Sequence, residues 1–350
     1  MTKLKTIKKN KPICLGSGLV ALDVILNGTP ATPAKLCAGG SCGNIISILS
    51  YLGWNSKPIA RLSKNNATKN LLKDLNSFNV NTDLLSKALD GSTPIIIHRI
   101  LRDREGNPKH RFEFRVPGTS TWLPSYKPVL SSTVESITKE QKQAQVFYFD
   151  RVSRSSIDLG KYYKEKGALI VFEPSSYNET KQFHESLSIA DIVKFSSDRI
   201  GNYSEIFPTP IAPLEIETRG KEGLQYRLQL GTKKGWQKTP PYKLTNIMDT
   251  AGAGDWCTAG IINELGQNGA KSFYSAGRDQ IERALDIGQA LGALNCIFDG
   301  ARGIMYNMDR KILDGVIPKI ISKKEISNIP ANTTNRIITI KNFHFDTLLQ

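Results

Sequence analysis

Short runs of consecutive apolar residues, separated by helical stretches, constrain the fold of this chain more than any other feature. The runs VFYFD, ALIVFEP and IVKFS begin at positions 146, 168 and 192, and the stretches 155–166 and 178–190 lie between them. Apolar runs without polar alternation are typical of parallel strands that helices cover on both faces. The sequence therefore predicts an α/β fold: a doubly wound, mostly parallel sheet flanked by helices.

The other segments extend this core and add a smaller β-rich unit. Helices are predicted over 43–53, 68–78, 255–265 and 278–297, where the last contains small residues suited to close packing. Segment 27–42 is predicted to be a loop or a pair of short edge strands, and 93–116 a hairpin that turns at 103–108. We predict one α/β domain over 12–320, with a small β-sheet lid from 27–42 and 93–116. A C-terminal extension, 321–350, has no predicted role.

Composition excludes some classes of protein. The chain has 350 residues, 23% of them charged, with a mean hydropathy of -0.29. These values exclude wholesale disorder, and no apolar run reaches the roughly 18 residues of a membrane-spanning helix. Lys and Arg number 47 against 32 Asp and Glu, so the net charge is +15. This excess favours phosphate ligands, nucleic acid or an anionic membrane surface, without choosing among them.

The cysteines indicate a reducing environment. Their number is odd, five, and the sequence contains no CxxC pair and no histidine at ligand spacing from a cysteine. We expect reduced thiols, no structural zinc and a cytoplasmic location. The start of the sequence also lacks the apolar core of a signal peptide.

The segment DTAGAGD at 249–255 carries the strongest chemical signal. Gly252 and Gly254 leave backbone N–H groups uncovered where a helix is predicted to begin, which favours an anion site. Asp255 lies in the same turn. A carboxylate beside an anion site suits a group that takes the proton from an alcohol as it attacks a phosphate. The alternative is that Asp255 only caps the helix.

Two upstream features are weaker. Gly39, Gly40 and Asn44 lie in GGSCGN at another predicted helix start, where uncovered backbone lets a polar ligand approach. The alternative is an ordinary glycine loop with a helix cap. Asp23 stands between apolar residues on a predicted strand, where burial is costly without partners such as the hydroxyls of a polyol. The alternative for Asp23 is an exposed edge position.

In this order, these motifs resemble the ribokinase-like (PfkB-type) carbohydrate kinases. The second signature of that family has the form DTxGAGD followed by an aromatic residue, here Trp256. The resemblance covers roughly 13–305. TRGKEG at 218–223 resembles the nucleotide turn of the family, and the helix 281–297 resembles its adenine-side helix.

The resemblance implies a role for each matching residue. It implies a catalytic base at Asp255 and an anion hole formed by Ala251, Gly252, Ala253 and Gly254. It also implies contacts to substrate hydroxyls at Asp23, Gly39, Gly40 and Asn44, contacts to the phosphates and ribose of ATP at Thr218, Gly220 and Gly223, and a place near adenine for Asn295. The implied cofactors are ATP and Mg²⁺, and a response to K⁺ is common in the family.

One departure concerns the metal. Ser196 and Arg199 stand where the family has the Asn and Glu of an Asn-x-x-Glu motif that helps to hold Mg²⁺ and the phosphates. The metal ligands are therefore unknown, and Glu173 or Asp198 are the candidates to replace them.

The resulting hypothesis is an ATP-dependent kinase that phosphorylates a hydroxyl of a sugar or of a sugar-containing molecule such as a nucleoside. No nucleic-acid or membrane partner is expected, and a homodimer through the lid is compatible with the resemblance. The alternative is a catalytically inactive relative that binds nucleic acid or acts as a scaffold, because a Lys-rich start and the basic hairpin at 98–115 accompany the changed metal motif. A dinucleotide-binding fold is not expected, since no helix pattern follows the G-x-G-x-x-A segment at 16–21.

Overall fold

The structure is a computed structural model that describes residues 10–26, 32–102, 108–229, 235–327, 329–331, 336–341 and 343–350. Its strands are β1 (Ile13–Ser17), β2 (Ala21–Ile25), β3 (Ala34–Gly39), β4 (Asn55–Leu62), β5 (Leu85–Lys87), β6 (Ile95–Arg102), β7 (Pro108–Glu113), β8 (Val146–Phe149), β9 (Leu169–Phe172), β10 (Ile192–Ser196), β11 (Leu214–Thr218), β12 (Leu224–Leu228), β13 (Gln237–Thr239), β14 (Lys243–Leu244), β15 (Glu325–Ile326) and β16 (Ile338–Ile340).

Its helices are α1 (Ser41–Tyr51), α2 (Asn66–Ser77), α3 (Val134–Glu140), α4 (Arg154–Glu165), α5 (Lys181–Ile189), α6 (Tyr203–Ile206), α7 (Ala253–Leu265), α8 (Ala270–Tyr274), α9 (Arg278–Asn295), α10 (Gly303–Asn307), α11 (Arg310–Lys323) and α12 (Asp346–Leu349). The four helices predicted from periodicity are α1, α2, α7 and α9, within two residues of their predicted bounds.

The main sheet has the strand order β13-β12-β11-β10-β9-β8-β1-β4-β5 within the described ranges. Neighbouring strands are parallel from β11 to β5, while β12 and β13 are antiparallel additions at one edge. The chain order reverses at β1, because β4 lies on one side of it and β8 on the other. The predicted doubly wound, mostly parallel sheet is therefore confirmed. In such sheets ligands bind beyond the carboxyl ends of the strands, near the reversal.

Both faces of this sheet are buried. On β8, Val146 and Tyr148 enter the hydrophobic core that contains α1, α7 and α9, whereas Phe147 and Phe149 enter a second core with α4 and α5. Side chains alternate between the faces of a strand, so an uninterrupted apolar run supplies two cores at once.

Glycines let α7 and α9 pack closely. A Cβ atom at Gly288 would lie 2.7 Å from the carbonyl oxygen of Cys257, and a Cβ atom at Gly260 would lie 2.9 Å from the Cα of Gly288. Only the absence of side chains allows this backbone approach. The close packing predicted for the helix at 278–297 is confirmed, and it fixes the position of α7.

The lid is a separate small sheet with the order β16-β3-β2-β6-β7. The strands that form this sheet differ from the predicted lid in two ways. The strand β2 joins the lid rather than the core, and β16, from the extension that had no predicted role, pairs with β3 through Ile338 and Leu36. Consequently β3 is not an edge strand. Residues 27–31 of the predicted lid and the hairpin turn 103–107 lie outside the described residues.

The C-terminal residues connect the lid to the core. After β16 the chain forms α12, which packs on α2, and the Asn66 side-chain amide donates to the backbone oxygen of Thr347. Leu348 is buried there. This last part of the extension thus has a packing role that the sequence did not indicate, while the domain bounds remain a prediction.

Three further findings concern the cysteines, the apolar character of the helices and the basic hairpin. All five cysteines are buried free thiols, as predicted. No helix in the described ranges combines the length and apolar character required to cross a bilayer. On the basic hairpin, Glu113 pairs with both Arg99 and Arg111, while the side chains of 102–110 and the Lys-rich residues 3–9 lie outside the described part.

Candidate active site

The glycine turn before α7 adopts a conformation that requires glycine. Gly252 has a φ of 72°, and a Cβ atom there would lie 2.0 Å from the carbonyl oxygen of Ala301. Asp249 braces the turn, because its carboxylate accepts from the N–H of Ala251 at 2.7 Å and from that of Gly300 at 2.8 Å. No side chain of the described chain caps the first N–H groups of α7. The turn can therefore bind an anion.

Asn295 also braces this turn. Its side chain is fully buried, and its amide nitrogen donates to the carbonyl oxygens of Ala251 at 2.9 Å and Gly300 at 3.2 Å. Its oxygen accepts from the N–H of Ile304 at 3.2 Å. The resemblance implied a place beside adenine for Asn295. In the structure its polar atoms join the glycine turn to the start of α10, and the place near adenine stays a prediction.

Asp255 is part-buried in the first turn of α7 and contacts Asn44, the last residue of the GGSCGN segment at 39–44. The side-chain nitrogen of Asn44 on α1 donates to Asp255 Oδ2 at 2.7 Å. The helix cap is Gly252, so the alternative that Asp255 is only a cap is wrong. Burial, reinforced by the charge of Glu173, raises the pKa of Asp255 to about 7, although Asn44, Lys194 and Arg199 oppose the shift.

Asp23 lies in the lid, against the glycines of the GGSCGN segment at 39–44. It is 3% exposed on β2, between β3 and β6, so the alternative of an exposed edge position is wrong. A Cβ atom at Gly39 would lie 2.0 Å from the Asp23 Cγ atom, and one at Gly40 would lie 2.4 Å from the carbonyl oxygen of Leu19. Both glycines are therefore required for the lid to meet α1 in this way.

Two buried oxygens near these glycines accept no hydrogen bond from the described part of the chain: Asp23 Oδ1 and Asn44 Oδ1. Buried acceptors are rarely left unpaired in native proteins. Burial also raises the pKa of Asp23 to about 7, with Arg302 opposing the shift. Ligand hydroxyl groups are suitable donors to such oxygens.

His98 is a buried lid residue that sequence reasoning placed only within the basic hairpin. Its Nε2 atom lies 3.7 Å from Asp23 Oδ2, and its ring packs edge to face on Phe112 with centroids 4.5 Å apart. Alternation along the hairpin was the available signal for this inward position, because residues two apart on a strand share a face.

Two parallel strands of the main sheet, β8 and β10, add buried polar residues that the sequence analysis missed. Asp150 directly follows β8 and is buried, and its Oδ1 accepts from the N–H of Leu19 at 2.9 Å. Burial raises the pKa of Asp150. Lys194 is 2% exposed on β10. A polar residue at the end of an apolar parallel strand was a signal for Asp150.

Glu173 holds Lys194 in place. Lys194 Nζ lies 2.7 Å from Glu173 Oε1, and the Thr258 hydroxyl donates to Glu173 Oε2 at 2.8 Å. Burial lowers the pKa of Lys194, but Glu173, with smaller contributions from Cys257 and Asp255, raises it, and together they outweigh burial, so the pKa is raised. Lys194 is therefore an ammonium ion.

These residues do not form a ready metal site. Glu173 accepts hydrogen bonds from the Lys194 ammonium and the Thr258 hydroxyl, and its role as a metal ligand stays a prediction. Asp198 and Arg199 are exposed. Across the described ranges, no three acidic, histidine or cysteine side chains are grouped to hold a metal ion. Mg²⁺ coordination by Asp198 stays a prediction.

The segment 218–223 forms the tight connection between β11 and β12. Gly220 and Gly223 have φ values of 52° and 87°, and the N–H of Arg219 donates to the carbonyl oxygen of Gly223 at 2.8 Å. The Thr218 hydroxyl donates to the Phe195 carbonyl oxygen at 3.3 Å. An open cavity of about 320 Å³ adjoins this turn and the end of β10. Its lining residues are Ser197, Asp198, Arg219, Gly220, Lys221 and Glu222.

No protein-family model matches the sequence. The chain is 23% identical over 318 residues to a protein described as probable fructokinase-6, chloroplastic, of Arabidopsis thaliana, which covers 83% of this chain and 78% of that protein. Among solved structures it resembles an Arabidopsis thaliana ribokinase complexed with ribose and ATP (TM-score 0.63, 15% identity, 89% of this chain and 99% of that one). It also resembles a Burkholderia thailandensis nucleoside kinase in complex with inosine (TM-score 0.62, 15% identity, 88% and 97%). The fold is therefore ribokinase-like, and the resemblance predicted from the two glycine motifs is confirmed.

Proposed function

We propose that this protein is a kinase that transfers the γ-phosphoryl group of ATP to a hydroxyl of a sugar or a sugar-containing molecule. The acceptor oxygen forms a bond to the γ-phosphorus, and the bond between that phosphorus and the bridging oxygen of ADP breaks. The hydroxyl proton moves to Asp255. ADP and a phosphate ester leave.

The contact between Asn44 and Asp255 carries this proposal. It brings the GGSCGN segment at 39–44 to the carboxyl group of Asp255 and the uncovered backbone amides at the start of α7. Asn44 holds Oδ2 of Asp255, which leaves Oδ1 to accept the proton. A general base works best when its pKa is near the working pH, and burial raises the pKa of Asp255 to about 7.

The acceptor site is assigned to Asp23 and Asn44. Each has a buried oxygen without a hydrogen-bond donor among the described residues, and a polyol presents several hydroxyl donors. The lid sheet that carries Asp23 would keep water from the γ-phosphoryl group and so limit ATP hydrolysis.

The nucleotide is assigned to the turn at Thr218, Gly220 and Gly223 and to the cavity beside it. The similar proteins support this choice of nucleotide and acceptor. The ribokinase structure is a complex with ribose and ATP, the nucleoside kinase structure is a complex with inosine, and the curated protein is described as a probable fructokinase. Mg²⁺ and K⁺ remain expectations, and no step is assigned to either ion.

The test is a coupled ADP-release screen of the full chain over sugars, sugar acids, sugar phosphates and nucleosides, with and without Mg²⁺ and K⁺. Asp255→Asn should fold and bind ATP but lose about 10²-fold or more in rate. Asp279→Asn is the matched control, because Asp279 is exposed in the first turn of α9. It should leave the rate unchanged.

Near-normal turnover by Asp255→Asn would remove Asp255 as the base. Acceptor-independent ATP hydrolysis, or no ADP release with any acceptor, would contradict the proposed activity. Tight, salt-sensitive binding to nucleic acid in that case would favour the inactive, nucleic-acid-binding alternative.

A further inference from the structure

We propose that Lys194 binds the γ-phosphoryl group of ATP at the glycine turn, as a cation that the protein itself supplies. This inference rests on the proposed function, because it needs a phosphate at the turn. Lys194 matches none of the motif positions that the resemblance assigns.

The position of the ammonium supports this role. Lys194 Nζ lies 3.7 Å from the point that a Cβ atom at Gly254 would occupy, so the ammonium is next to the turn that offers uncovered amides. Gly254 keeps the intervening space open. Asp255 senses the same positive charge, since Lys194 opposes the rise in its pKa. The charge thus lies next to the turn and acts on the carboxylate that would activate the acceptor.

The hydrogen bonds of Lys194 leave donors for a ligand. An ammonium has three N–H donors. Within the described ranges its one hydrogen bond is to Glu173 Oε1, at 2.7 Å. Glu173 is itself held from the other side, by the Thr258 hydroxyl at 2.8 Å and the Tyr148 hydroxyl at 3.4 Å. Glu173 therefore anchors the ammonium without using all of its donors.

The neighbouring residues on the same strand and loop support the same assignment. Lys194 and Ser196 are two residues apart on β10 and share one face of the strand. Arg199 follows in the loop, exposed, and also opposes the rise in the pKa of Asp255. Where the resemblance implied a metal-binding Glu, this chain has a second cation.

The chemical role of Lys194 is electrostatic. Charge on the equatorial oxygens of the transferred phosphoryl group is stabilised by preorganised donors and cations. Lys194 keeps its proton throughout, so Asp255 remains the only group that accepts one.

The test measures nucleotide binding to the full chain by calorimetry, without acceptor, for ATP and for AMP, each with Mg²⁺ and with EDTA. Lys194→Met should weaken ATP binding about tenfold or more and leave AMP binding within about twofold, because AMP lacks the γ-phosphoryl group. This change corresponds to about 1.4 kcal/mol. Lys164→Met is the matched control, since Lys164 pairs with buried Asp191 at 2.9 Å, at the amino end of β10.

A second variant separates phosphate binding from simple neutralisation of Glu173. Lys194→Met alone leaves a buried carboxylate unpaired and can destabilise the fold. The double variant Lys194→Met with Glu173→Gln removes both charges. It should regain thermal stability and still bind ATP weakly, whereas Glu173→Gln alone should retain ATP binding.

Three outcomes would overturn the inference. They are ATP binding by the double variant that equals the wild type, equal losses for ATP and AMP in Lys194→Met, and a wild-type protein that binds ATP no better than AMP. If wild-type protein prefers ATP but phosphorylates no acceptor, only the proposed activity fails.

Discussion

The Asn44 side-chain nitrogen lies 2.7 Å from Asp255 Oδ2, although 211 positions separate the two residues in the chain. Both residues stand in the first turn of a helix that follows a glycine with positive φ, and the two helices pack against each other. The contact joins the acceptor side of the site to its phosphate side. Its donor stabilises the ionised form of Asp255.

The first prediction concerns the pH dependence of the rate. Asp255 must be ionised to accept a proton, and burial raises its pKa to about 7. Activity should therefore fall about tenfold per pH unit below pH 7 and level off above it. Measurement of kcat/KM from pH 5.5 to 9 checks this.

Asn44→Ala serves as the matched comparison. Removal of the Asn44 donor should move the midpoint of the kcat/KM pH profile to higher pH, because the hydrogen bond from Asn44 lowers the pKa of Asp255. A midpoint below pH 5 in the wild type, or the same midpoint in both proteins, contradicts the assignment.

The second prediction concerns Gly39, which lies against the Asp23 carboxyl. A Cβ atom at Gly39 would lie 2.0 Å from Asp23 Cγ, so Gly39→Ala must displace the carboxyl from the acceptor site. The acceptor KM should rise at least about tenfold, as expected when a buried hydrogen bond is lost. ATP binding should be unchanged, since the nucleotide is assigned to the turn at 218–223.

Steady-state kinetics with the best acceptor from the screen measures this effect. Gly315→Ala is the control, because Gly315 lies in α11 with open space around its Cα. An unchanged acceptor KM in Gly39→Ala would separate Asp23 from acceptor binding.

Much of the fold was predictable because its signals are local. Apolar runs such as 146–150 gave the buried parallel strands, and the positions of Gly252 and Gly40 gave the helix starts. These features depend on backbone conformation within a few residues. The positions of Asp255 and Asn44 within their helices follow from the same motifs.

Other features depend on contacts between distant parts of the chain. The pairing of β16 with β3 needs a tail of polar and β-branched residues to reach the lid, and no local pattern at 338–340 specifies that partner. Similarly, Lys194 continues an apolar run, so only the structure shows Glu173 beside it. Asn295 was placed by resemblance, which does not reveal that the fold uses all of its polar atoms.

The third prediction concerns Asn295. Asn295→Ala removes three buried hydrogen bonds and leaves the carbonyls of Ala251 and Gly300 without these donors. We expect a loss of roughly 3 kcal/mol in the free energy of unfolding, because buried groups left unsatisfied are costly. Urea unfolding followed by circular dichroism measures it.

The affinity of the folded Asn295→Ala protein for ATP should fall only to the extent that the glycine turn, without the Asn295 hydrogen bonds, becomes less well ordered. Asn307→Ala is the control: Asn307 is part-buried at the end of α10, where its amide donates to the Gly303 carbonyl. If Asn295→Ala is as stable as the wild type but loses adenine recognition, measured as AMP affinity, the bracing role is wrong.

The fourth prediction concerns the buried ion pair of Asp74 and Arg302, both fully buried, behind the lid. Asp74 also accepts from the N–H of Ala38 at 2.8 Å and from the Tyr306 hydroxyl at 2.9 Å, so it ties β3 to α2 and α10. Asp74→Asn leaves the Arg302 guanidinium without its anion. The free energy of unfolding should fall by about 3–5 kcal/mol, as when one partner of a buried ion pair is removed. Because Ala38 precedes Gly39, the variant should also raise the acceptor KM.

Addition of Arg302→Met to Asp74→Asn should recover part of the stability, since no unpaired charge then remains, and both variants are compared by urea unfolding. A double variant less stable than Asp74→Asn would show that Arg302 stabilises this region through contacts other than the ion pair.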